Sequence, residues 1–280
     1  MIPEFLPQGP ALVIENEIRV LVAADCHFGA ETELARHGLH IKSSSEERLK
    51  RLLSCIDESD CDMLLLLGDV KHSVPVTTRQ EYFEMPRIIK KIRERIPFKV
   101  MPGNHDVGIE RFLNEDELLP KTGYVIDGTG YIHGHTYPSG DLLGRLIVAG
   151  HAHPVVCLYD EVGCSLRSQP AYLLSSIDEA VFDGKNYAQK NNDGKKPGKK
   201  KSGGDNTDDK NKNLSSSTRA LFVPAFFELA GGMDVRELFK SGLGPLFKAI
   251  DEESAEVFLS DGTYINSLGG LLSDECDRTS

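Results

Sequence analysis

No stretch of the sequence approaches the ~20 consecutive apolar residues of a membrane span, and the N-terminal MIPEFLPQGPALVIENEIRV has no basic segment leading into an apolar one. The expectation is a cytoplasmic protein with no membrane contact and no secretion signal. Paired cysteines are missing as well. Cys26, Cys55, Cys61, Cys157, Cys164 and Cys276 are scattered without a CxxC motif, which excludes a zinc ribbon and a thioredoxin-type redox site. A disulfide framework does not suit a chain of this length without a signal. Most of the six are expected to be small buried side chains; Cys26, between Asp25 and His27, is the one to watch.

Positive charge is in short supply. The formal net charge is −11, and residues 183–218 hold nine lysines against five aspartates, a surplus of four that leaves −15 on the rest of the chain. A body that acidic repels phosphate backbones unless metals or a local basic patch intervene. Tight metal-independent nucleic-acid binding is thereby disfavoured, and at most transient contact is expected. The stretch 183–218 has almost no apolar side chains and is dense in Gly, Lys, Asn, Asp and Ser. It is read as a disordered, lysine-rich loop insertion, because it cannot bury enough surface to offset the entropy of ordering. The sharper alternative is a basic tether for nucleic acid or anionic lipid, although its single aromatic, Tyr187, gives no repeated aromatic–basic interleaving to read bases.

What is present is a repeated grammar of apolar runs ending in polar residues. Arg19 to Ala24 runs into Asp25-Cys26-His27, Asp62 to Leu67 into Gly68-Asp69, and Phe98 to Met101 into Pro102-Gly103-Asn104-His105-Asp106. Tyr131-Ile132 meets His133-Gly134-His135, and Leu146 to Ala149 meets Gly150-His151-Ala152-His153. Buried strands delivering residues from their carboxyl ends read this way. Leu49, Leu52, Leu53 and Ile56 give a helical stripe after the serines Ser43 to Ser45, which offer an N-cap. A second stripe, Ile88, Ile89, Ile92 and Ile96, follows Pro86, which would suit the first turn. Alternating strands and helices imply an α/β fold with parallel neighbours. After His153 the runs Val155 to Tyr159, Ala171 to Leu174, Ala220 to Val223 and Glu256 to Leu259 suit hairpins or a second sheet.

An isolated Asp-x-His carries little, and a lone strand-end histidine is usually a hydrogen-bonded surface residue. Five such motifs in succession carry much more. Together they supply carboxylates, an amide oxygen and imidazoles, a mixed set suited to Mn²⁺, Fe, Zn²⁺ or Ni²⁺ and poor for Ca²⁺.

In order and spacing these motifs resemble the calcineurin-like metallophosphoesterase superfamily, whose signature runs DxH, GDxxH or GDxxD, GNH(D/E), a His near a glycine, and GHxH. The resemblance spans roughly residues 18–156. Phe222-Val223-Pro224-Ala225-Phe226 and Ala230-Gly231-Gly232-Met233-Asp234 further resemble the archaeal and bacterial SbcD-related subgroup of phosphoesterases. The resemblance implies a single domain over 1–280 with a four-layer αββα sandwich of mixed sheets. It also implies two divalent metals, Mn first with Fe, Zn, Ni and Mg as alternatives. Asp25, His27 and His153 would hold one metal, Asn104, His133 and His151 the other, and Asp69 would bridge them. His133 is taken over His135 because it directly follows its strand and precedes the glycine.

The implied activity is hydrolysis of phosphodiesters, nucleic acid or nucleotide among them, by a metal-bridging hydroxide. His105 is cast as general acid. Asp106 either orients the His105 ring or caps the following helix. Lys71 and His72 face the phosphate or sit in a solvated loop, and His37 and His40 lie in a polar loop. Phosphomonoesterase action on a small molecule is the second reading, and a non-catalytic binding module using the lysine-rich loop is the third.

Overall fold

The computed structural model describes residues 3–159, 165–182 and 217–278. In the first sheet, β1 (Glu4–Phe5), β2 (Ala11–Glu15) and β3 (Arg19–Ala24) pair antiparallel, and β3, β4 (Met63–Leu67) and β5 (Phe98–Met101) run parallel. Side chains on a strand alternate between faces, and here both faces are covered. Val13, Leu21, Ala23, Leu64, Leu66 and Val100 pack on one side with Leu49, Leu52 and Ile56 of α2 (Ser45–Ser59) and Met85, Ile88, Ile89 and Ile92 of α3 (Arg79–Arg93). Leu12, Ile14, Val20, Val22, Leu65 and Leu67 point the other way. The parallel strands therefore read as unbroken apolar runs.

Those second-face residues share one core with Tyr131, Val148, Tyr172, Leu221 and Val223 of a nine-stranded sheet. That sheet is built from β6 (Tyr124–Ile126), β7 (Thr129–Ile132), β8 (Leu146–Ala149), β9 (Pro154–Tyr159), β10 (Ser165–Ser176), β11 (Arg219–Phe222), β12 (Met233–Asp234), β13 (Glu256–Leu259) and β14 (Tyr264–Ser267). Its members β7, β8 and β11 are parallel neighbours, a second triad answering β3, β4 and β5. The outer face packs Ile132, Ile147, Ala149 and Phe222 against the 3-10 turns Val235–Lys240 and Phe247–Ala249 and the start of α4 (Leu268–Arg278). The expected four-layer αββα order with mixed sheets is thus present, with a fourth layer built largely of single turns.

Three expectations need correction. Pro86 lies in the middle of α3, not in its first turn. That helix starts at Arg79 because Thr78 and Glu81 form a reciprocal capping box, Thr78 N donating to Glu81 Oε2 at 2.7 Å. Ser44 precedes α2 but its hydroxyl caps nothing; it donates to the Glu31 and Glu228 carboxylates, each at 2.8 Å. His37 and His40 do lie in a loop, but the helix after it is not the first, since the short α1 (Glu31–Arg36) precedes them. Of the stretch 183–218, residues 183–216 lie outside the described residues. Thr218 is buried and tied into the second sheet, its carbonyl accepting from Ile177 N at 3.0 Å.

Candidate metal centre

Each parallel triad ends at the same place. From the first sheet β3 delivers Asp25 and His27, β4 delivers Asp69, and β5 delivers Asn104 and His105; from the second, β7 delivers His133, and β8 delivers His151 and His153. The loops that carry these residues turn sharply. Among the described residues, five of the eight non-glycine positions in the left-handed region are Asp25, His27, Asp69, His151 and His153, with φ between 46° and 76°. Such conformations cost free energy at each position and persist where surrounding contacts over-determine them. Here the braces are visible: Asp25 N donates to Gly68 O at 3.1 Å, His27 N to Asp69 O at 2.8 Å and Phe28 N to Val70 O at 2.8 Å. Two glycines make room for His133 and Asp69. A Cβ on Gly68 would lie 2.0 Å from His133 Nδ1, and one on Gly103 would lie 2.1 Å from Asp69 Oδ1.

Two clusters of donor atoms result, Asp25 with His27 and His153, and Asp69 with His133 and His151. His27 Nε2 and His153 Nε2 are 3.3 Å apart, and His153 Nε2 is 3.4 Å from Asp25 Oδ1. In the second cluster His133 Nε2 lies 3.4 Å from Asp69 Oδ2 and 3.3 Å from Asn104 Oδ1. His133 Nδ1 donates to the Leu67 carbonyl at 3.2 Å, leaving Nε2 as the nitrogen free to bind a cation. His151 faces the Leu243 carbonyl through Nε2 at 3.1 Å, which leaves Nδ1 for a cation. A divalent cation fits these donors. Asp25 Oδ1 is fully enclosed with no aligned hydrogen-bond donor, a costly state for a carboxylate unless a cation meets it.

Electrostatics reflect the crowding. Burial pushes the His27 imidazole down to about 3 against the pull of Asp25 and Asp69. His133 is subject to the same burial, but Asp25 and Asp69 overcome it and raise the group to about 9. His153 moves upward for the same reasons, with Asp25 outweighing burial. Burial would raise the Asp69 carboxyl, yet the neighbouring imidazoles of His133, His27 and His105 hold it well below the usual range.

Other predicted residues divide. His105 is half-exposed, its backbone N donates to Asp69 Oδ1 at 2.8 Å and its Nδ1 donates to the His72 carbonyl. Asp106 does not meet the His105 ring and caps no helix with its side chain. Its two carboxylate oxygens accept from Lys71 N at 3.0 Å and Gly103 N at 2.8 Å, stitching the β4 loop to the β5 loop. Burial, with the Asp69 charge nearby, lifts Asp106 to about 6. Lys71 does not sit solvated in a loop; it is fully buried and its ammonium donates to the Ser73 carbonyl. His72 joins the site, with Nδ1 3.1 Å from His27 Nδ1, and forms a third donor group with His27 and His105. His135 lies beside His133, ring centroids 5.2 Å apart, outside both clusters. His37 is exposed and turned to the Glu33 carbonyl at 3.0 Å. Cys26 points away into the helix-side core, where burial lifts its thiol to about 12 and removes it from the chemistry.

Sequence reasoning missed Arg48. Its guanidinium is wholly buried, donating to the His27 carbonyl at 3.0 Å and to Glu31 at 3.2 Å, and stacking 4.0 Å from the Phe227 ring centre. The available signal was a cation in register with Leu52 and Cys55 on the apolar stripe of α2.

Carboxylates, imidazoles and one amide converging from two parallel triads define a metal-dependent hydrolase. The chain belongs to the family of calcineurin-like phosphoesterases, whose model matches residues 18–193. Among solved structures it is similar to the nuclease MPE of Pseudomonas putida at 17% identity, over 93% of this chain and 96% of that one, with a TM-score of 0.48. It is also similar to YfcE, a phosphoesterase from E. coli, at 16% identity over 56% of this chain and 90% of that one, with a TM-score of 0.35. No helix among the described residues is long and apolar enough to cross a membrane.

Proposed function

We propose that the chain is a dinuclear phosphodiesterase in which Asp25, His27 and His153 hold one divalent cation, Asn104, His133 and His151 hold the other, and Asp69 bridges them. The observation that carries this reading is the position of Asp69 Oδ2. It lies 3.4 Å from His133 Nε2 within its own donor cluster and 4.0 Å from His27 Nε2 of the other, so one carboxylate oxygen faces both. When bound, two cations, Mn²⁺ before Fe, Zn, Ni or Mg, neutralise the phosphate and make water nucleophilic at neutral pH. His105 acts as the acid: with Nδ1 engaged by the His72 carbonyl, Nε2 is the nitrogen free to protonate the leaving oxygen. Asp106 is a positioning residue that holds the loops of Asp69 and Asn104 together. The whole chain is taken as one domain, since the core between the sheets draws side chains from both.

Diesters, among them nucleic acid or nucleotides, are favoured because the phrases at Phe222–Phe226 and Ala230–Asp234 resemble the SbcD-related subgroup. The test is chelated protein restored with Mn²⁺ and offered bis(p-nitrophenyl) phosphate and p-nitrophenyl phosphate, then single- and double-stranded nucleic acid. Faster diester turnover is expected. Faster monoester turnover selects a phosphomonoesterase, and no turnover with any of the five metals overturns the reading.

A further inference from the structure

The two C-terminal phrases do more than close the second sheet. Phe226 N and Phe227 N donate to the carbonyls of Ala24 and Asp25 at 2.8 and 3.2 Å, and Met233 N donates to the His153 carbonyl at 3.2 Å. Both phrases are thereby bolted to loops that carry metal-centre residues. The segments between and around them enclose a cavity of about 240 Å³, one wall of which is His153.

Its lining is specific. Pro10, Pro170 and Pro224 present apolar ring surfaces, and Phe227 adds an aromatic one. Phe227 is held in place by the buried Arg48 guanidinium, 4.0 Å from its ring centre. At the polar part of the wall Arg51 Nη2 meets Glu228 Oε2 at 3.2 Å. A largely apolar cavity whose polar lining is confined to Arg51, Glu228, Ser168 and His153 suits a ring that has polar atoms on an edge. The volume sets the size, since a cavity of roughly 150 Å³ accepts benzene. A cavity of 240 Å³ therefore has room for one fused ring system.

We infer that this cavity is the subsite for an aromatic or heteroaromatic ring, of nucleobase size, on a phosphoester whose phosphate sits at the metal centre. The inference rests on the phosphoesterase reading for the phosphate and on the cavity alone for the ring. His153 then faces both, a candidate ligand on one side and the neighbour of the ring on the other.

The test separates ring from phosphate. In metal-free protein, 1-naphthylmethanol is titrated by calorimetry, and Ala225→Leu, which narrows the cavity wall, is titrated beside it. With Mn²⁺ restored, 1-naphthylmethylphosphonate and methylphosphonate compete against bis(p-nitrophenyl) phosphate. The aromatic phosphonate should inhibit about tenfold more tightly, as burial of one ring predicts, and Ala225→Leu should bring the two inhibition constants together. Thermal melts establish that the variant is folded; if it is not, the wild-type ratio decides. Equal inhibition by both phosphonates, or no binding of 1-naphthylmethanol to wild-type protein, overturns the subsite. Absence of turnover with retained naphthylmethanol binding overturns the phosphoesterase reading and leaves the ring site standing.

Discussion

The first sheet delivers Asp25, Asp69 and the Asn104 amide together with His27 and His105, whereas the second delivers imidazoles alone, from His133, His151 and His153. The first sheet's loops also brace one another through backbone bonds from Asp25, His27 and Phe28 to the β4 loop. The second sheet's residues lean on that assembly: His151 N donates to Asp25 Oδ2 at 2.9 Å, and His133 Nδ1 donates to Leu67 O. Negative charge and rigidity come from one half, neutral donors from the other. The clusters Asp25–His27–His153 and Asp69–His133–His151 nevertheless each draw on both sheets, so a pair of cations bound there would cross-link the layers that meet at the central core.

The sharpest way to break this comparison is Asp69→Asn, which removes the carboxylate proposed to bridge the two cations. Loss of about 10³-fold or more in diester turnover is expected, on the scale of removing a preorganised charge-stabilising group, with both metals lost on dialysis. Retained turnover would mean that Asp69 bridges nothing. Cross-linking makes the second test thermal. Saturating Mn²⁺ at a thousandfold excess over Kd should stabilise the native state by about 4 kcal/mol for each site filled, a rise in Tm of roughly 10 °C per site for a chain of this size. An unchanged melting curve would show that the cations do not join the sheets. A smaller effect distinguishes the halves: His153→Ala should weaken one cation by about 10- to 100-fold and leave one metal per chain by elemental analysis. If His153→Ala instead empties both positions, the division between anionic and neutral halves fails.

Much of the site was legible because strand ends have a signature. Arg19–Ala24, Phe98–Met101 and Leu146–Ala149 begin and end where the apolar runs do, and the first polar residues beyond them are the ones brought together. Pro86 misled because proline has a local preference for a first turn, whereas the start of this helix is set by the Thr78–Glu81 box. In the fold that box is reinforced by Glu81 Oε1 accepting from His72 N and Ser73 N at 2.9 and 2.6 Å. Asp106 could not be assigned from sequence, since its partners are the backbone N–H groups of Lys71 and Gly103, and a peptide N–H has no identity in a sequence. The β1–β2 hairpin was passed over because Ala11–Glu15 ends in no chemical motif, although it supplies Leu12 and Ile14 to the core between the sheets.

The subtlest difference between the halves is in their protons. His27, from the first sheet, is pushed down to about 3 by burial, so it is already neutral and ready to bind a cation at pH 7.5. His133, from the second, is raised to about 9 by Asp25 and Asp69 against burial, so it is protonated at the same pH. A cation must displace that proton, because only neutral imidazole ligates. The sign follows: below pH 9 protons compete with metal, and apparent affinity should climb by up to about tenfold per pH unit, levelling as pH passes about 9. Calorimetry of Mn²⁺ binding at pH 7.5 in two buffers of different ionisation enthalpy should report release of about one proton from His133, with His153 adding to it. His133→Ala should lower that release, whereas His27→Ala should leave it nearly unchanged. Equal losses in the two variants would place the held protons on both sheets and erase the asymmetry.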